Sequence, residues 1–240
     1  IIHRFQTIEE QIREYSITSY TSKTSPLEII EEFEWLKKNI ACAIGVTGDY
    51  QERFKTLYRA GCRIFCLDTA NGANIQVKKA VEWIKIYESK QIELHLHTAT
   101  IKSLENAQKT YVDDKYKVYL IAGNVATWTG YFYLANLGVD AARVGISGGS
   151  VCETRNETGV YLPTLESVCR IVEERRNYAK HVGNTKKWPL IIADGGIRRP
   201  ADMNIALACG ADLIMGGSIF AGTKESPGPV IKGTDGKLYK

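Results

Sequence analysis

Leu190-Ile-Ile-Ala-Asp-Gly-Gly196 is the stretch whose reading decides the fold. Four apolar residues in succession, without polar alternation, suit a strand buried on both faces of a parallel sheet. The run stops at an aspartate and two glycines. A second run of the same design, Leu213-Ile-Met-Gly-Gly-Ser218, follows a helical stretch near 200–209. Glycines at the C-terminal ends of consecutive strands are where (β/α)8 barrels commonly bind a phosphate. Tight turns are the alternative for either pair alone.

The rest of the chain repeats the pattern. Apolar runs at Ile40 to Val46, Arg63 to Thr69, Val118 to Gly123 and Ala141 to Ile146 complete six predicted strands. Amphipathic stretches near 50–60, 75–89, 127–137 and 163–181 separate them, giving repeated βα units. An open doubly wound sheet is the competing architecture, but no Gly-x-Gly-x-x-Gly follows an early strand. The barrel is therefore expected, as a single domain over 1–240. Ile92-Glu-Leu-His-Leu-His97 alternates apolar and polar, predicting a half-exposed strand, and Ser103 to Asp113 reads as a helix. Together 90–117 read as a surface insertion.

Hydrophobic residues make up 44% of the 240 and charged residues 24%, the balance of an ordinary globular protein. No apolar run approaches the ~20 residues that span a bilayer, so no membrane partner is expected. The net charge of +4 is mild and its lysines and arginines are scattered, so no nucleic-acid partner is expected either. Six cysteines lack any Cys-x-x-Cys, and five fall in predicted elements. That reads as reduced, buried thiols in a cytoplasmic protein. His95 and His97 would share one face of a strand, yet no third metal ligand lies near them in sequence.

The exception among the cysteines is Cys152, in Gly145-Ile-Ser-Gly-Gly-Ser-Val-Cys-Glu-Thr-Arg155. This glycine-rich loop leaves an apolar run and ends well before the next helical pattern near Leu165. Glycines let backbone approach a ligand and leave N–H groups to bind anions, and Arg155 adds positive charge. A thiolate nucleophile needs such surroundings.

The order Ser150, Cys152, Thr154, Arg155 after two glycines resembles the catalytic loop of the IMP dehydrogenase/GMP reductase family. Ile192-Ala-Asp-Gly-Gly-Ile-Arg198 and Met215-Gly-Gly-Ser-Ile-Phe-Ala-Gly-Thr-Lys-Glu-Ser-Pro-Gly228 agree with it. Ile2-His-Arg-Phe5 and Ile121-Ala-Gly-Asn-Val-Ala-Thr127 add support. The resemblance implies that Cys152 attacks C2 of a purine nucleotide to form a thioimidate, with Thr154 assisting proton transfer. It implies a phosphate cradle of Ser150, Gly195, Gly196, Gly216, Gly217 and Ser218, and that Asp194 holds the ribose hydroxyls. An aspartate closing a strand also reads as a helix N-cap. Asp68, Thr69 and Ala70 resemble the nicotinamide-side motif, and Asn124, Arg143 and Arg4 occupy family positions near the cofactor. Each also reads as a strand-end hydrogen bonder. Family members often hold potassium on backbone carbonyls of this loop, here Ser147, Gly149 and Cys152. Ser147 replaces a glycine of the family pattern.

Both family activities pass through one covalent adduct. Ala70-Asn71-Gly72 and Thr158-Gly159-Val160 resemble reductase motifs, and about 35 residues between His3 and the next strand leave no room for paired regulatory modules. The reading is NADPH-dependent reduction of GMP to IMP and ammonia. NAD-dependent oxidation of IMP to XMP is the alternative, and a non-catalytic purine-nucleotide binder the second. Glu153 beside the cysteine is unusual for either activity. Homotetramers are common in this family. Ile1-Ile2-His3 resembles the tail of the second barrel strand, and Val230 to Lys240 reads as a hairpin around Asp235-Gly236. The N-terminal strand and C-terminal flap are thus expected to lie outside this chain.

Overall fold

The computed structural model describes residues 1–2, 5–18, 39–98, 116–146, 148, 159, 161–183, 186–221, 223, 231–232 and 238–239. It is an α/β fold with six parallel strands joined by helical crossovers, and it divides into two compact units. One comprises Ile1–Gly123 with Asn136–Asp140, the other Asn124–Ala135 with Ala141–Lys240.

In the first unit β1 (Ala41–Ile44) pairs in parallel with β2 (Ile64–Asp68), which pairs with β3 (Tyr119–Val125) through Gly123. Ile2 forms a parallel bridge to Cys42 on the outer side of β1, with two 2.8 Å backbone hydrogen bonds. The crossover α2 (Tyr50–Arg59) buries Phe54, Leu57 and Tyr58, the i, i+3, i+4 stripe of an amphipathic helix. Phe54 packs on Phe65 of β2 with ring centroids 4.4 Å apart, and meets Trp83 and Tyr87 edge-on. Burying such a side chain stabilises by about 1.5–3 kcal/mol. That anchors α2 without a cap, since Asp49 makes no capping bond and pairs with Arg53 instead. Arg53 also donates to Gln11, a fully buried side chain of α1 (Ile8–Thr18) whose amide reaches the Ala43 carbonyl at 2.9 Å. Buried Cys42 lies against Cys62. The hydrogen bond between them, with burial, pushes the Cys42 thiol pKa up and keeps it protonated.

The helix α3 (Ile75–Thr98) corrects one expectation. Ile92 to His97 is not a strand but the last part of this 24-residue helix. Val77, Ala80, Val81 and Ile84 form its buried stripe, and Leu94, 60% exposed, lies beyond it. The premise that His95 and His97 lie on a strand goes with that expectation. The predicted helix at 103–113 lies outside the described residues.

In the second unit β4 (Ala141–Val144), β5 (Leu190–Asp194) and β6 (Leu213–Met215) run parallel in chain order. Their crossovers are α5 (Thr164–Val182), which buries Val168, Ile171 and Val172, and α6 (Pro200–Ala208). The helix α4 (Trp128–Leu137) contributes buried Tyr131, whose hydroxyl donates to the Pro189 carbonyl at 2.6 Å. A four-residue helix, α7 (Ser218–Ala221), follows β6. The expected C-terminal hairpin is present as β7 (Ile231–Lys232) against β8 (Leu238–Tyr239).

One device recurs in both units. Asp140, just before β4, donates its N–H to Leu120 and accepts the Leu120 N–H on its carboxylate, both at 2.9 Å. Asp212, just before β6, does the same with Ile191 at 2.9 and 2.8 Å. The matching sequences are Gly138-Val-Asp140 and Gly210-Ala-Asp212.

Candidate active site

Asp194 ends β5, and its carboxylate is the focus of the second unit. Arg143, on the neighbouring β4, donates from Nε at 3.0 Å and from Nη2 at 2.8 Å to Oδ2. Asn124 Nδ2 reaches the same oxygen at 2.7 Å and also the Gly145 carbonyl at 2.7 Å. The ion pair is largely shielded, with side chains 15% and 17% exposed. Charge-assisted bonds in such a setting are about twice as strong as neutral ones. Among the described residues no donor reaches Oδ1. Among those residues, the donors converge on Oδ2 alone.

The N-cap alternative for Asp194 does not hold. Arg199 occupies the N-cap of α6, and Asp202 closes that turn by accepting the backbone N–H groups of Arg198 and Arg199. Those bonds, the Arg198 one first, hold the Asp202 pKa below the ordinary carboxylate value.

The main chain around Asp194 is equally constrained. Gly145, just past β4, has φ 137, and a Cβ there would sit 2.1 Å from the Asp194 carbonyl oxygen. Only glycine tolerates both conditions. The Thr164 hydroxyl donates to that same carbonyl at 3.1 Å. Thr164 is a site residue that the sequence reading passed over. No local sequence pattern marks it, because its partner lies thirty positions away.

The cradle glycines separate into kinds. β5 and β6 pair Asp194 with Met215, so Gly195-Gly196 and Gly216-Gly217 leave adjacent strand ends. At Gly216 a side chain would meet the Phe220 and Ile219 side chains at 2.7 and 2.8 Å, so those side chains would have to shift. At Gly217 the backbone is not left-handed and a side chain would meet nothing within 4 Å. Gly196 likewise faces open space, though its φ of 80 already favours glycine. Exposed Ser218 follows directly. Among the described residues, nothing stands in the way of a side chain at Gly217.

In the first unit, half-buried Asp68 ends β2 and Ala70 is exposed just beyond. Thr69 donates both its N–H (3.1 Å) and its hydroxyl (2.7 Å) to the Gly123 carbonyl. Gly72 packs so tightly that a Cβ would lie 2.9 Å from Gly123 Cα. Asn71 accepts the Ala73 N–H, and Asn74 caps α3 through the Gln76 and Val77 N–H groups. Arg4, Ser147, Gly149, Ser150, Cys152 and Thr154 lie outside the described residues, and with them the catalytic and potassium assignments.

The family model described as IMP dehydrogenase / GMP reductase domain matches residues 1–96 and 94–240. An inosine-5'-monophosphate dehydrogenase of Nitrosopumilus maritimus is 36% identical over 201 residues, covering 84% of this chain and 34% of that protein. A GMP reductase of Mycobacterium bovis is 32% identical with the same coverage. The chain thus spans about a third of the length of the curated relatives it matches. The crystal structure of inosine 5' monophosphate dehydrogenase from Legionella pneumophila superposes with a TM-score of 0.64 at 29% identity, covering 98% of this chain and 55% of that one. A strand-end carboxylate pinned by its neighbours, glycines that face open space and a family match along the whole length lead to one conclusion: the chain belongs to the IMP dehydrogenase/GMP reductase family.

Proposed function

We propose that this chain is the catalytic (β/α)8 barrel domain of a purine nucleoside monophosphate oxidoreductase working in the reductive direction, from GMP to IMP and ammonia. The observation that carries the proposal is Asp194, with Oδ2 held by Asn124 and Arg143 and, among the described residues, no donor on Oδ1. A carboxylate accepts two hydroxyl donors readily, which suits the 2′ and 3′ positions of a ribose. One strand over, the open backbone at Gly217 and the Ser218 hydroxyl suit the 5′-phosphate.

With the nucleotide so held, the Cys152 thiolate bonds to C2 of the guanine ring. The 2-amino group leaves as ammonia, with Thr154 relaying the proton. Breaking the carbon–sulfur bond as C2 gains hydride returns the thiolate and yields IMP. The β2 end fits a nicotinamide: exposed Ala70 offers a small surface, and the Asp68 carboxylate accepts from a carboxamide. The Thr69 hydroxyl proton is committed to Gly123, so Thr69 acts as an acceptor and as an anchor for this strand end. When bound, the cofactor supplies the hydride, and the reductive direction calls for NADPH. The reductive direction rests on Ala70-Asn71-Gly72 and Thr158-Gly159-Val160. Potassium on the Ser147, Gly149 and Cys152 carbonyls, and a homotetrameric assembly, remain part of the proposal. No step above depends on either.

A second reading reverses the hydride flow, oxidising IMP to XMP with NAD. The 36% identity to a dehydrogenase favours it. Supplying the full-length protein with GMP and NADPH, then with IMP and NAD, and following nicotinamide absorbance separates the two. Ammonia release from GMP supports the reductase, and NADH formation from IMP supports the dehydrogenase.

A further inference from the structure

We infer that Thr164 is a positioning residue, whose hydroxyl sets where the main chain presents the Asp194 carboxylate to a nucleotide. The inference rests on the nucleotide-binding reading of Asp194 given above. Thr164 opens α5, yet its hydroxyl bonds outside its own helix, to the Asp194 carbonyl at 3.1 Å. The same hydroxyl is what a side chain at Gly145 or at Gly148 would strike, 2.8 Å away in each case. Gly148 also lies against Gly195, with a hypothetical Cβ 3.1 Å from its backbone. One oxygen therefore sits where the chain leaving β4 meets the chain leaving β5. Ile146 and Leu162 form an antiparallel bridge that ties the chain leaving β4 to the segment that leads into α5 and so to Thr164. Asp194 is consequently fixed twice: by Asn124 and Arg143 at its carboxylate, and by Thr164 at its backbone. Displacement of a fixed group by about 1 Å is enough to cost large factors in rate or affinity.

The test compares Thr164→Val, which keeps the shape and removes the hydroxyl, with Thr164→Ser, which keeps the hydroxyl. Calorimetry of the full-length protein with GMP and with IMP should show affinity about five- to tenfold weaker in the valine variant, as for one lost hydrogen bond. The serine variant should stay within about twofold of wild type on the same scale. Amide exchange over 190–198 should accelerate in the valine variant and not in the serine one, even where thermal midpoints match. If Thr164→Val fails to fold, Thr164→Ala replaces it under the same comparison. Wild-type affinity and wild-type exchange in the hydroxyl-free variant would overturn the inference. If the wild-type protein binds neither nucleotide, the functional reading fails, and exchange alone still decides whether the Thr164 anchor exists.

Discussion

Arg143 grips Asp194 side-on: Nε and Nη2 both donate to the single oxygen Oδ2, at 3.0 and 2.8 Å. A forked pairing would occupy both carboxylate oxygens. This one places both donors on Oδ2, and lysine has no planar pair of donors with which to reproduce it. Arg143→Lys should therefore weaken GMP and IMP binding by about 1–2 kcal/mol. Asp194→Ala should cost about 1–3 kcal/mol in the same calorimetric titration. Unchanged affinity in both variants would remove the ribose role.

The cradle glycines allow a contrast between folding and binding. Gly217→Ala introduces a methyl group into open space at an ordinary backbone conformation, so stability should stay within about 0.5 kcal/mol. Affinity for a nucleoside monophosphate should fall, and affinity for the parent nucleoside should not. Gly145→Ala adds strain at φ 137 to a 2.1 Å clash with the Asp194 carbonyl, and should destabilise by more than about 2 kcal/mol in denaturant unfolding. Equal stability in the two variants would show that the glycines do not divide as described.

Away from the site, Glu88 accepts the Val118 N–H, and burial pushes its carboxyl pKa above the ordinary value. A raised pKa means that the folded state holds its proton more tightly than the unfolded chain. This contribution is present at low pH and is lost as pH rises through the folded pKa. Glu88→Gln keeps an acceptor and removes the charge. It should raise the thermal midpoint at neutral pH, with the advantage vanishing below about pH 4, where unfolded carboxylates are protonated. A midpoint lowered at neutral pH would contradict the assignment.

Much of this was legible because the strands of a parallel sheet read as continuous apolar runs. Leu190–Asp194 and Leu213–Met215 could be read almost to the residue. Ile92 to His97 could not, because six alternating residues do not distinguish a strand from the end of a helix that began at Ile75. The first helix was passed over although Thr7 and Glu10 form a capping box, Thr7 donating its N–H at 2.8 Å and accepting that of Glu10 at 3.2 Å. Asn124, Arg143 and Asp194 were each picked out, but their meeting at one oxygen depends on how neighbouring strands align. Thr164 reaches a carbonyl thirty positions away, and no local pattern announces such a bond.

Cys152→Ala tests the covalent chemistry apart from binding. Ribose and phosphate contacts should keep nucleotide affinity within about tenfold of wild type, while turnover disappears. Full activity in this variant would end the covalent mechanism.

The most direct measurement supplies the full-length protein with GMP and NADPH while following NADPH absorbance and free ammonia together. The account expects NADPH loss and ammonia release in equal amounts, with IMP as the product. NADH formation from IMP and NAD, with no ammonia released from GMP, would contradict the reductive direction. Turnover of neither pair by an intact protein that still binds both nucleotides would contradict catalysis itself.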